Sequence, residues 1–321
     1  MKELLRTLAY ICLREKLQKG SFYPLPARIL INRKLQKMQH SLALPLPLIA
    51  NIETTNFCNA NCTYCYYTKM KRSHLLMDMG LYQKIIDECS SLGIREVRLN
   101  VYGEPLLDEF LCQRIVYAKE KGIARVGLFT NASLLNAEKT NALLACRLDE
   151  ICISLDGATK EAYENIRRGL SYNEVLGNLE RLLRIRSKRF KVHLFFAAGA
   201  QNQKEIGPFK RKWRGKVDSI NIGSCYKTDL YDVERKNFAP CPYLWKRIVI
   251  LSNGDVVLCC QDYEGYSVIG NMKSSTIRQI WSGKTLAQYR RLHLAKASSN
   301  IDACNRCELN LWIRWLVPFR F

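Results

Sequence analysis

Residues 56–67 read NFCNANCTYCYY, which puts Cys58, Cys62 and Cys65 at C-x3-C-x2-C spacing directly behind an apolar run, LPLIANIE, with the texture of a strand. Three thiolates delivered by one loop can hold three irons of a [4Fe-4S] cluster, because such clusters are held by cysteine sulfur. A fourth iron is then left open. Structural zinc is the rival reading, but it takes four ligands, commonly in paired C-x2-C knuckles. The nearest histidines, His40 and His74, stand apart from the run. A disulfide framework fits less well, since a 321-residue chain with no secretory signal stands without staples, and 14 cysteines without such a signal point to a reducing cytoplasm.

The length suggests one large domain or two of unequal size, and 48% hydrophobic residues with 10% aromatic rule out a disordered chain. The net charge of +21 favours acidic partners. It is unevenly spread, with nine basic and two acidic residues in 1–40, and twelve basic residues against Glu205 alone in 181–216. Nucleic acid, an anionic membrane surface, a phosphorylated substrate and an acidic electron donor of the flavodoxin or ferredoxin type would all be attracted. A plain solvated face is the bland alternative.

No apolar run reaches the roughly 20 residues of a membrane span. Both ends are amphiphilic, however: LLRTLAYICLREKL at 4–17 repeats its apolar residues on one helical face, and the tail LNLWIRWLVPFRF mixes Trp312, Trp315 and Phe319 with Arg314 and Arg320. Such a mixture suits peripheral contact with an anionic membrane, or packing of both ends on the main domain.

Behind the cysteine loop, short β-branched runs alternate with longer helical ones, the pattern of a parallel α/β domain. Strands are expected at 49–54, 96–102, 125–130, 150–156, 191–197 and 217–222, and helices at about 79–92, 108–121, 134–145, 171–188 and 203–213. Six such units fall short of a closed eight-unit barrel, and functional residues belong beyond the carboxyl ends of the strands.

The cysteine loop and the strand exits that follow it resemble the radical S-adenosylmethionine (radical SAM) superfamily. That resemblance implies an α/β fold, a partial (β/α)6 TIM-like barrel, in which the open iron chelates the amino and carboxylate groups of SAM. Tyr64 stands where the family has an aromatic near the adenine. Gly103, Glu104 and Pro105 resemble the GGE motif that engages the methionine ammonium, with Tyr102 replacing its first glycine. Asn131 is similar to the TNG step, Ser154 and Asp156 to the SLDG segment bordering the ribose, and Arg167 to a basic residue facing the SAM carboxylate.

Beyond residue 235 the texture changes. RIVIL and VVLCC form an expected hairpin around Asn253 and Gly254, a type I' turn pair, followed by a helix at about 275–294 and CNRC at 304–307. Cys241, Cys259, Cys304 and Cys307 could complete a second [4Fe-4S] cluster, or a ribbon-like zinc site. Alternation along a strand allows only one of Cys259 and Cys260 as a ligand; similarity to one-cluster relatives of the radical SAM superfamily, in the interval from Cys241, implies Cys259. The order resembles the SPASM or twitch extension, a small C-terminal iron-sulfur domain with auxiliary clusters. Three segments result: a basic helical extension at 1–45, the barrel at 46–235, and the auxiliary domain with its aromatic tail at 236–321.

The resemblance implies an oxidoreductase that cleaves SAM to a 5'-deoxyadenosyl radical and abstracts a hydrogen atom from a small polar substrate: a sugar, a cyclitol or a nucleotide-linked sugar. The auxiliary cluster would accept an electron, as in aminocyclitol dehydrogenases. An epimerase or a peptide-modifying enzyme, with Cys225 past the sixth strand as hydrogen donor, is the alternative within the enzyme class. A metal-stapled nucleic-acid-binding module is the alternative outside it, but it leaves the strand exits unexplained, so nucleic acid is not an expected partner.

Overall fold

The computed structural model describes residues 46–224, 240–295 and 297–305, together with Arg33. The amino-terminal extension, the aromatic tail, the 235/236 division, Cys225 and Cys307 lie outside the described residues.

Among the described residues nine strands form one sheet in the order β6-β5-β4-β3-β2-β1-β7-β8-β9. Their ranges are β1 Ile49–Ile52, β2 Glu96–Arg98, β3 Arg125–Thr130, β4 Glu150–Ser154, β5 Lys191–Ala198, β6 Ser219–Ser224, β7 Arg247–Ile250, β8 Asp255–Val257 and β9 Val268–Asn271. The first six pair in parallel, each with its sequence neighbour, and helices cross between them. This is the expected partial barrel. The strands read as nearly unbroken apolar runs because helices cover the sheet. Ile151, Val192, Leu194 and Phe196 are wholly buried.

The helices are α1 Met79–Ser91, α2 Leu111–Glu120, α3 Ala137–Ala145, α4 Lys160–Ile166, α5 Tyr172–Ile185, α6 Ile206–Trp213, α7 Ile277–Trp281, α8 Lys284–Leu294 and α9 Asp302–Asn305. Helix α5 shows why they form: Tyr172, Val175, Leu179 and Leu182 recur on one face and are buried. The Ser171 hydroxyl accepts from Glu174 N–H and caps its start. Each such side chain, fully buried, contributes about 1.5–3 kcal/mol.

Four expectations about the elements need correction. The single helix expected at about 275–294 is two, α7 and α8, divided at Ser282 and Gly283. Helix α4 was not foreseen, because its apolar stripe is only Tyr163 and Ile166, yet Thr159 caps it by accepting from Ala162 N–H. Strand β2 stops at Arg98, since the chain then turns toward the cysteine loop, with Glu104 N–H donating to Phe57 O at 2.7 Å.

The Asn253-Gly254 turn is not type I', which needs positive φ at both residues. Only Gly254 has it, at 92°. Gly254 N–H donates to Leu251 O at 2.9 Å and Leu251 N–H to Asp255 O at 2.8 Å, giving a three-residue connection closed by a left-handed glycine.

The C-terminal hairpin does not stand apart. Strand β7 pairs in parallel with β1, Ile49 opposite Arg247 and Ile52 opposite Ile250, so β7, β8 and β9 prolong the barrel sheet beyond its first strand.

Helix α4 lies close against the exit of β4: a Cβ on Gly157 would stand 2.6 Å from Tyr163 N. Backbone on both sides cannot yield cheaply. Gly157→Ala is expected to destabilise the fold by about 1–3 kcal/mol, read as a lower denaturation midpoint in urea under anaerobic conditions.

Candidate active site

The cysteine loop leaves the carboxyl end of β1 and is fastened to the end of α4 and to the exits of β3 and β2. Asn61 N–H donates to Arg168 O at 2.8 Å and Thr63 N–H to Ile166 O at 2.9 Å, tying it to the end of α4. Asn59 Oδ1 accepts from Asn131 Nδ2 and Asn59 Nδ2 donates to Ser133 Oγ, both at 2.9 Å, tying it to the exit of β3. Gly103, at φ 86°, presses on it from the exit of β2: a Cβ there would stand 2.7 Å from Asn56 Cα and 2.8 Å from the carbonyls of Thr55 and Phe57. Glycine is required by that approach.

Cys62 is buried, and Cys58 and Cys65 are half-buried. Burial pushes the Cys58 thiol up to about 12, with Glu104, Cys62 and Cys65 adding to it. Burial also raises Cys65, again with a contribution from Cys62. The charges of Cys62 and Cys65 therefore reach Cys58, and that of Cys62 reaches Cys65. The Arg167 guanidinium reaches Cys62 Sγ at 3.8 Å. Among the described residues no three Cys, His, Asp or Glu side chains converge at the spacing of single-ion ligands. Three soft thiolate donors on one loop are the donor set that an iron-sulfur cluster takes.

Around the loop the expected site residues assemble, largely by binding each other. Glu104 is buried, and burial raises its pKa. Its Oε1 accepts from Leu106 N–H and Thr130 Oγ1, and its Oε2 accepts from Asn131 N–H at 2.7 Å. Pro105 opens the turn that Glu104 caps. Asp156, wholly buried, accepts from Ala197 N–H through Oδ1 at 2.7 Å; its Oδ2 accepts from Tyr64 OH at 2.5 Å and from Arg167 Nε at 2.6 Å. Burial opposes the Arg167 charge, but Asp156 and its neighbours outweigh it and hold the pKa above its ordinary value. Ser154 ends β4 opposite Phe195.

The second set gathers Cys241, Cys259 and Cys304. The Cys259 thiol is raised by its hydrogen bond with Cys260, by burial and by the nearby charge of Cys241. Strand β8 ends at Val257, so the alternation argument does not apply to Cys259 and Cys260. What separates them is packing: Cys260 lies against Val249, Leu251 and Val257, whereas Cys259 senses Cys241.

Sequence reasoning missed Glu53, Arg72, Asn202 and His293. Glu53 is wholly buried and takes both terminal nitrogens of Arg72, at 2.7 and 2.5 Å. Asn202 binds the carbonyls of Asp156 and Ala197. His293 sits between Cys241 and Cys304, and burial lowers its pKa to about 4. Only the acidic end of LPLIANIE, an odd residue for a buried strand exit, carried a signal.

Comparison with known proteins agrees with this geometry. The family model described as the radical SAM superfamily matches residues 52–212. The chain belongs to the radical SAM superfamily. The model of an iron-sulfur cluster-binding domain, SPASM, matches 241–308. A GTP 3',8-cyclase of Limosilactobacillus fermentum is 29% identical over 68% of this chain and 64% of its own. The chain spans only 46–47% of two other relatives. An S-adenosyl-L-methionine-dependent 2-deoxy-scyllo-inosamine dehydrogenase of Niallia circulans is 22% identical over 80% of this chain and 90% of its own. The crystal structure of BtrN with AdoMet and 2-DOIA superposes with a TM-score of 0.59 at 19% identity, over 82% of this chain and 94% of BtrN, and shows the shared fold. The radical SAM enzyme therefore works with SAM, a SAM-binding [4Fe-4S] cluster and auxiliary cluster chemistry.

Two measurements probe the site. Asp156→Asn strands the buried Arg167 charge and is expected to cost about 3–5 kcal/mol, whereas Tyr64→Phe removes one hydrogen bond to a charged group and costs about 1.5–3 kcal/mol; denaturant titration of both orders them. The raised Cys58 thiol must also lose its proton to bind iron. Its thiolate fraction grows with pH, so anaerobic iron and sulfide uptake should quicken steadily from pH 7 to 9.

Proposed function

We propose that this radical SAM enzyme abstracts a hydrogen atom from a small polar substrate, a sugar, cyclitol or nucleotide-linked sugar, and oxidises it in the manner of a dehydrogenase. The observation that carries this reading is the span of the match to the inosamine dehydrogenase, 266 residues and 80% of this chain, longer than the 52–212 stretch that the radical SAM model matches. The net charge of +21 favours an anionic substrate and an acidic flavodoxin- or ferredoxin-type reductant.

Bound SAM and its cluster would supply the radical chemistry. The chain supplies the holding. Cys58, Cys62 and Cys65 are the proposed ligands of the SAM-binding cluster; Cys241, Cys259, Cys304 and Cys307 are those of the auxiliary one. Glu104 makes three hydrogen bonds, so its carboxylate keeps an acceptor position. It has no ion-pair partner among the described residues, as a carboxylate awaiting an ammonium should. Gly103 and Pro105 fix its approach, and Asn131 links it to the loop. Tyr64, Ser154, Asp156 and Arg167 form the neighbouring wall. Epimerisation with Cys225 as hydrogen donor is the competing outcome.

The test is anaerobic turnover of sugars, cyclitols and nucleotide sugars with SAM and dithionite in heavy water. Product two mass units lighter than substrate, with 5'-deoxyadenosine formed in equal amount, is expected. Deuterium gained without oxidation would favour the epimerase, and turnover of peptides alone would end the proposal. The triple variant Cys58→Ala, Cys62→Ala, Cys65→Ala should bind about four irons instead of about eight and form no 5'-deoxyadenosine.

A further inference from the structure

We propose that His293 positions and tunes the auxiliary cluster by donating a hydrogen bond from Nε2–H to the sulfur of Cys304. The inference rests on the auxiliary-cluster reading above. His293 lies in the last turn of α8 and is 2% exposed. Its Nδ1 is 3.2 Å from Cys241 N, and its Nε2 is 3.4 Å from Cys304 Sγ.

The tautomer follows from these two contacts. A backbone amide only donates, so Nδ1 accepts and carries no proton. A neutral imidazole has one N–H, which must then sit on Nε2. That nitrogen faces Cys304 as a donor and has no lone pair to give to iron. His293 is therefore not itself a ligand. One ring holds the backbone at Cys241 and the sulfur of Cys304, residues brought together from opposite ends of the auxiliary segment, and so sets the span between them.

A donor on a ligating sulfur draws negative charge from the cluster and stabilises its reduced form. Hydrogen bonds to the sulfurs are among the determinants of cluster potential, and partners that orient a ligand tune its metal. His293 thus holds the auxiliary cluster at a higher potential than its thiolates alone would give, which suits an electron acceptor.

The experiment uses the full chain carrying Cys58→Ala, Cys62→Ala and Cys65→Ala, so that only the auxiliary cluster remains. Its potential is measured by EPR-monitored redox titration, alone and with His293→Leu or His293→Gln. The expected result is a shift to more negative potential in the leucine variant, partly reversed by the glutamine variant, whose amide can still donate. With 15N-labelled histidine and His293 intact, pulsed EPR of the reduced cluster should show one weakly coupled nitrogen. That measurement needs no substitution at His293 and decides the matter even where the leucine variant fails to assemble. An unmoved or raised potential, a strong coupling typical of a ligated nitrogen, or no coupling at all would overturn the proposal. Absence of iron from the triple variant would overturn the auxiliary-cluster reading with it, whereas iron present with an unmoved potential would overturn the role of His293 alone.

Discussion

The carboxylate of Glu53 is the fixed point of the molecule. It is wholly buried at the exit of β1 and is held by the Arg72 guanidinium, by the backbone and hydroxyl of Ser252 and by Tyr102 N–H. Those donors come from three places: the chain after the cysteine loop, the exit of β7 and the exit of β2. A charge in that position is tolerated only when fully paired and hydrogen-bonded. Its neutralisation therefore requires the cysteine loop to return across β1 and the C-terminal hairpin to dock beside it. Arg72 also donates to Tyr263 O, and Glu264 accepts from the N–H groups of Lys71 and Arg72, so the same junction binds the auxiliary segment.

The wall of the site follows a similar rule one strand further round. Asp156, Arg167 and Tyr64 neutralise and orient one another before any ligand is bound, and Asn202 closes the backbone beneath them. Such preorganisation costs folding energy but spares reorganisation at the moment of reaction. Glu104 differs. It is held directly by backbone and hydroxyl donors, and the Arg167 charge acts on it without an ion pair.

Strands β1, β3, β4 and β5 were legible because they are apolar and largely buried, and the cysteine spacing was legible because it lies within eight residues of one loop. Features that depend on distant partners were not. Nothing local marks β7 as the parallel neighbour of β1, since hairpin chemistry around Gly254 suggests a separate module. His293 reads as an ordinary helix residue in KTLAQYRRLHL, and only the fold brings it to Cys241 and Cys304. Helix α4 was hidden by its shortness, being held by the fit of Tyr163 against Gly157 rather than by a periodic apolar face.

The continuous sheet also constrains how the two cysteine sets can cooperate. Cys58 follows the carboxyl end of β1, and Cys241 precedes the amino end of β7, its parallel neighbour, so the sets flank opposite ends of one strand pair. Part of the seam is aromatic: Tyr66, next to Cys65, stacks on Tyr263, near Cys259, with ring centroids 4.6 Å apart and planes 3° from parallel. Domains joined by a hinge would let the two centres drift. Here the segment that carries the second set is part of the sheet that carries the first.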